Sequence, residues 1–176
     1  MGAEVGFAAV QGFMVLFLLL HDWVPLGPFN DLKGVNSQIP FKRKVRDTAI
    51  NTVLVAVALV LSLRYLERPY PTAVRVYLIV IYGRFLVGEF RAWWKPYLFG
   101  ADPKLVERYD GMERYDAMFG KTHAFLPKRN GIVPNTAHVV LHACTLLAFL
   151  LALSVEKYAS RCGDSLLAAV REAALG

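Results

Sequence analysis

Apolar residues along this chain gather into four long runs separated by polar stretches. The runs cover about residues 5–24, 48–66, 72–94 and 135–155. Each holds roughly 20 mostly apolar residues, the length needed to cross about 30 Å of hydrocarbon as a helix. The pattern therefore predicts an all-α, four-transmembrane-helix bundle, with one integral membrane domain over residues 1–176.

The breaks between runs have recognisable chemistry. The first run closes at His21-Asp22-Trp23-Val24-Pro25, where Trp23 suits a membrane interface and Pro25 with Gly27-Pro28 stops the helix. Residues 26–47 read as a connector ending in the basic block Lys42-Arg43-Lys44-Val45-Arg46. The turn Glu67-Arg68-Pro69-Tyr70-Pro71 is short, which makes the second and third runs antiparallel neighbours.

Residues 95–133 form the one sizeable polar segment between runs. It carries a direct repeat, Glu107-Arg108-Tyr109-Asp110-Gly111-Met112 followed by Glu113-Arg114-Tyr115-Asp116-Ala117-Met118. Asp102-Pro103 is a helix start, and Leu105, Tyr109, Met112 and Phe119 fall on one face. These features predict a short amphipathic helix on the membrane surface in the loop between the third and fourth spans. The stretch from Lys121 to Gly131 reads as an ordered return loop. In the tail, 156–176, Asp164 to Arg171 has the spacing of another short amphipathic helix.

Composition sharpens the membrane reading. The chain is 56% hydrophobic over 176 residues, with mean hydropathy +0.39, too apolar for an ordinary soluble domain. The net charge of +6 does not point to nucleic acid, because no recognition motif accompanies it and the basic residues sit between the runs. Attraction to an anionic leaflet, at about 1 kcal/mol per basic residue, accounts for them. Thirteen Lys and Arg lie in the two long connectors and at the close of the third run (Arg91), against six around the tight turn and in the tail. Both connectors are expected in the cytoplasm and both termini outside. The N-terminus has no basic region before its apolar run, so that run is expected to be retained as a span. Cys144 and Cys162 are too far apart to suggest a disulfide or redox pair.

Candidate chemistry concentrates at one end of the bundle. His138 and His142 are four residues apart, so both imidazoles lie on one face of the fourth run. An ionisable group at membrane depth is a functional candidate by default. Alternating span directions bring His21, Asp22, Asn51, Glu89, Asn135, His138 and His142 to the same membrane face, with His123 in the loop beside them. Arg84 stands about ten residues before Trp94, about 15 Å along the helix, and about 140° around from Glu89.

Three readings stay open. In the first, His138, His142, Glu89, His21 and Asp22 are catalytic, with Arg84, Asn51 and Asn135 binding a lipid-like or other apolar substrate that reacts by acid–base chemistry. In the second, His138 and His142 hold a transition metal or contribute to a haem site, with or without catalysis. In the third, the polar residues only hydrogen-bond helix to helix, and the protein is a structural subunit that docks a partner through residues 102–119. Trp23, Trp93 and Trp94 read as interface anchors, Cys144 as a packing residue, and His123 as a packed or solvated loop residue. The oligomeric state has no signature in the sequence.

Overall fold

The computed structural model describes the backbone of residues 2–100 and 111–154, and the side chains of residues 4–100 and 114–154. Its helices are α1 (Gly2–Leu20), α2 (Leu32–Gln38), α3 (Phe41–Arg64), α4 (Thr72–Glu89), α5 (Lys95–Phe99), α6 (Gly111–Phe119) and α7 (Thr136–Ser154). A 3-10 turn, Gly27–Phe29, precedes α2, and a π-helical turn, Phe90–Trp94, joins α4 to α5. The described residues are helical without strands, apart from one isolated bridge between Arg129 and Ile132.

Two helices, α3 and α7, are long and apolar enough to cross a membrane. Support for four spans stops there. The apolar part of α1, Glu4–Leu20, falls short by the same measure, and α4 carries Arg75, Arg84 and Glu89 within its 18 residues.

Boundaries differ from the sequence reading where prolines act. Pro40 precedes α3 with φ −57° and ψ 139°, so the helix begins at Phe41, and the basic block lies in its first turns instead of in a loop. The connector before it folds: Asp31 caps α2, its carboxylate accepting from the Gly34 amide at 2.9 Å. The second copy of the repeat falls within α6. Its first copy, the Asp102-Pro103 start and the tail helix lie outside the described residues.

A single core draws on the four long helices: Phe7, Met14 and Leu18 from α1, Val55 and Ala58 from α3, Leu78, Ile81 and Tyr82 from α4, and Leu141, Ala148 and Ala152 from α7. At one end, Glu4 of α1 accepts from the Glu67 amide at 2.9 Å. At the other, Lys44 ties the elements together. Its ammonium is buried, donating to Asn36 Oδ1 at 2.7 Å and to the Asp22 carbonyl at 3.1 Å, and it lies 3.9 Å from the centre of the Trp23 ring. A cation there gains both hydrogen-bond acceptors and the negative face of an indole.

α6 does not rest alone on a surface; it packs on α2. Arg114 donates to the Gln38 carbonyl at 2.8 Å, and Gly34 lets the two backbones meet. A Cβ at position 34 would stand 2.2 Å from the Ala117 carbonyl oxygen. Gly34→Ala is therefore expected to push α2 off α6 and to lower stability by about 1–3 kcal/mol. Gly6→Ala, where a Cβ meets nothing within 4 Å, is expected to leave stability unchanged or raise it by up to about 1 kcal/mol. Thermal unfolding followed by circular dichroism compares the two; equal melting of both variants would sink the close-approach account.

Candidate functional site

Four elements converge where α1 ends and α7 begins. α1 supplies Phe17 and, one turn on, His21. α7 supplies His138, His142 and Thr145, at spacings of four and three residues that keep them on one face. The π turn supplies Trp93 and Trp94, and α6 supplies Tyr115 and Phe119. A π turn is wider than an α turn, and here two consecutive indoles both reach the α7 histidines.

His138 lies at the centre. Its ring stacks on Trp93 with centroids 4.4 Å apart and planes 26° apart. Phe119 at 5.2 Å, His21 at 5.7 Å, His142 at 6.1 Å and Phe17 at 6.5 Å surround it edge-on. His21 stacks on Phe17 at 4.7 Å. Its Nδ1 lies 3.0 Å from the Phe17 carbonyl, and its Nε2 lies 3.3 Å from Asp22 Oδ1.

The hydrogen bonds assign the hydrogens on the two α7 imidazoles. Asn135 Oδ1 accepts from the His138 backbone amide at 2.9 Å, the N-cap bond that starts α7. Because an amide N–H only donates, the atom facing it is the Asn135 oxygen. That same oxygen lies 2.7 Å from His138 Nδ1, so Nδ1 carries the hydrogen and Nε2 keeps the lone pair. His142 is the opposite case. Trp94 Nε1, a donor only, lies 3.1 Å from His142 Nδ1, so Nδ1 accepts and a neutral His142 carries its hydrogen on Nε2. One ring thus has a basic Nε2 and its neighbour a donating Nε2.

Glu89, the last residue of α4, accepts from Thr145 Oγ1 at 2.7 Å, and the same hydroxyl lies 3.0 Å from the Leu141 carbonyl. The other carboxyl oxygen, Oε2, is buried with no hydrogen-bond partner among the described residues. Tyr115 donates to the Val133 carbonyl at 2.5 Å. Burial, with Asp116 beside it, holds the Tyr115 phenol above its ordinary pKa, so it remains a neutral donor.

Of the residues singled out in the sequence, His21, Asp22, Asn135, His138 and His142 adjoin one another, and Glu89 joins α7 one turn from His142. Three do not enter this cluster. Arg84 is exposed on the outer side of α4. Asn51 is partly buried on α3 and makes no side-chain hydrogen bond among the described residues. His123 is exposed at the rim, its Nδ1 2.8 Å from Thr136 Oγ1 and its ring 5.7 Å from Phe29.

The main omissions are Trp93 and Trp94, which the sequence suggested as interface anchors. Trp93 stands four residues after Glu89, a spacing that puts it on the same helical face; that signal was present. Thr145, three residues after His142, had the same kind of signal.

The donor set also bears on a metal. Ligation by His142 through Nε2 needs the lone pair there and the hydrogen on Nδ1, which would face the Trp94 N–H. His138 is free of that conflict, with Asn135 orienting its ring as an outer-shell partner would. Among the described residues, no three His, Cys, Asp or Glu side chains converge on one point. In this arrangement, of the two α7 imidazoles only His138 keeps an uncommitted ring lone pair, on Nε2.

Two outcomes follow. Asn135→Ala is expected to destabilise α7 by about 1 kcal/mol, the usual cost of a lost cap, whereas Asn135→Asp keeps the acceptor and most of the stability; chemical denaturation measures both. Nitrogen-15 NMR of histidine-labelled protein is expected to find the hydrogen on Nδ1 of His138 and on Nε2 of His142. Trp94→Phe is expected to release the preference at His142 alone, and like tautomers in the wild-type protein would contradict the assignment. Compared with protein-family models, curated proteins and solved structures, the chain matches none, so the site is read from its own geometry.

Proposed function

We propose that this is a four-span integral membrane protein whose histidine and carboxylate site binds the polar end of a lipid-like molecule and acts on it by acid–base chemistry. The membrane part of this reading draws on an inverted pattern of burial. Large apolar side chains face outward along all four long helices, among them Leu16 (59% exposed), Val60 (62%), Val80 (60%) and Leu150 (51%). Polar Gln11, Ser62, His142 and Thr145 are buried. Water disfavours so extensive an apolar exterior, and hydrocarbon favours it. In this reading α1 and α4 span together with α3 and α7, and the basic connectors put the site at the cytoplasmic leaflet.

The chemical part rests on the opposed tautomers of His138 and His142. A lone pair on one Nε2 and a hydrogen on the other supply a base and a hydrogen-bond donor within adjacent rings. Glu89 adds a carboxyl group with one oxygen uncommitted. Phe17, Trp93 and Phe119 offer an apolar surround for the body of such a substrate.

A second reading uses the same contacts. Trp94 to His142 and Thr145 to Glu89 each join separate elements, which is what a purely structural polar network does. It describes a non-enzymatic membrane subunit that docks a partner through residues 102–119.

Two measurements separate these proposals. After carbonate washing, the protein is expected to stay with the membrane fraction, and cysteines introduced near residues 30, 68 and 126 are expected to label from alternating sides. Release by carbonate would end the membrane reading. Quenching of Trp93 and Trp94 by a brominated long-chain alcohol is expected to saturate in the wild type. His142→Ala and Glu89→Gln are expected to weaken saturation by about tenfold or more with melting unchanged. If both variants lose stability in step with quenching, the structural network is the better account.

A further inference from the structure

The outer face of α4 presents one continuous stripe, Val76, Val80, Arg84, Val87, Gly88 and Arg91, all exposed. Val76, Val80 and Val87 are 52%, 60% and 57% exposed, as lipid-facing side chains are. Arg84 breaks the pattern. It lies between Arg75 and Arg91, about 14 Å and about 10 Å away along the helix at about 1.5 Å per residue. A snorkelling arginine covers only part of either distance.

The residues just before Arg84 meet the core. Phe7 of α1 packs on Tyr82 with ring centroids 6.2 Å apart, and Phe149 of α7 is the nearest side chain to Gly83. Phe7 stands five residues from the start of α1 and Phe149 five from the end of α7, so the level of Arg84 is read from α4 itself, twelve residues after Thr72. Among the described residues Arg84 forms no ion pair; the ion pairs there involve His21 with Asp22, and Arg43 and Arg46 with Asp47. The guanidinium stays charged at any physiological pH. A charge at this depth is expected to face protein instead of lipid, and to be paired.

We propose that the α4 stripe docks a transmembrane helix of another protein that carries a carboxylate at the depth of Arg84. The apolar positions above and below would pack on that helix, and Gly88, where a Cβ would meet nothing within 4 Å, leaves room for its backbone. A second copy of this chain is the poorer occupant. A two-fold axis on the stripe sets Arg84 near Arg84, and the exposed acidic residues Glu67 and Asp116 lie toward the ends of the bundle. The inference rests on the membrane reading above and is independent of the histidine chemistry.

The test uses the full chain in phosphatidylcholine vesicles with synthetic Leu/Ala transmembrane helices bearing one central Glu, Gln or Lys and an acceptor dye. Energy transfer from the chain's own tryptophans is expected to show the Glu helix binding about tenfold or more tighter than the Gln helix, and the Lys helix not binding. Arg84→Gln is expected to abolish the preference without changing helix content or melting. Equal transfer to Glu and Gln helices, or an Arg84→Gln chain that keeps the preference, overturns the proposal. Arg84-dependent dimers in sedimentation without peptide overturn the choice of occupant. Failure of the chain to insert into vesicles removes the membrane reading, and this proposal with it; normal insertion without Glu-dependent transfer removes this proposal alone.

Discussion

Where polar groups can go governs this structure. The long helices turn Leu16, Val60, Val80 and Leu150 outward, and polar groups are drawn inside, where some find partners and others, such as both polar side-chain atoms of Gln11, have none among the described residues. Several of these partners link two elements. Thr145 reaches Glu89, Trp94 reaches His142, and Tyr77 reaches the Leu54 carbonyl at 2.8 Å. These pairs set the relative rotation of the helices, because a helix turned by one residue loses its partner.

The sequence exposes this logic only in part. Apolar runs located all four long helices to within a few residues at most ends, since period and length are local properties. The four-residue step from His138 to His142 fixed their common face for the same reason. The placement of His21 beside His138 followed from alternating span directions, a topological inference that needs no contact information. Arg84 and Glu89 diverge in the structure, one exposed and one partly buried, in keeping with the angle between them on a helical wheel.

What stayed hidden depended on departures from regular geometry or on distant parts of the chain. An α-helical reading of Phe90–Trp94 gives no reason for both indoles to serve one cluster; the π turn changes their angular spacing, and no residue there announces it. The connector at residues 26–47 looked like a loop because α2 is seven residues long, too short to stand by periodicity. Its stability comes from α6, about 80 residues later, and from the close approach at Gly34. Lys44 read as one more basic anchor, although its ammonium is enclosed by Asn36, the Asp22 carbonyl and Trp23.

The return loop before α7 limits how the site can move. Asn130 and Gly131 take φ of 50° and 80°, the left-handed pair of a tight two-residue turn, closed by bonds of 2.9 Å in both directions between Arg129 and Ile132. Asn130 then donates to the Tyr97 carbonyl, Tyr97 donates to the Pro127 carbonyl, and the Thr136 amide donates to the His123 carbonyl. Thr136, the first residue of α7, is held to His123 through its amide and its hydroxyl, so sliding α7 along its axis would break these loop contacts. A change in the winding of the π turn would then move both indoles while the imidazoles hold their depth.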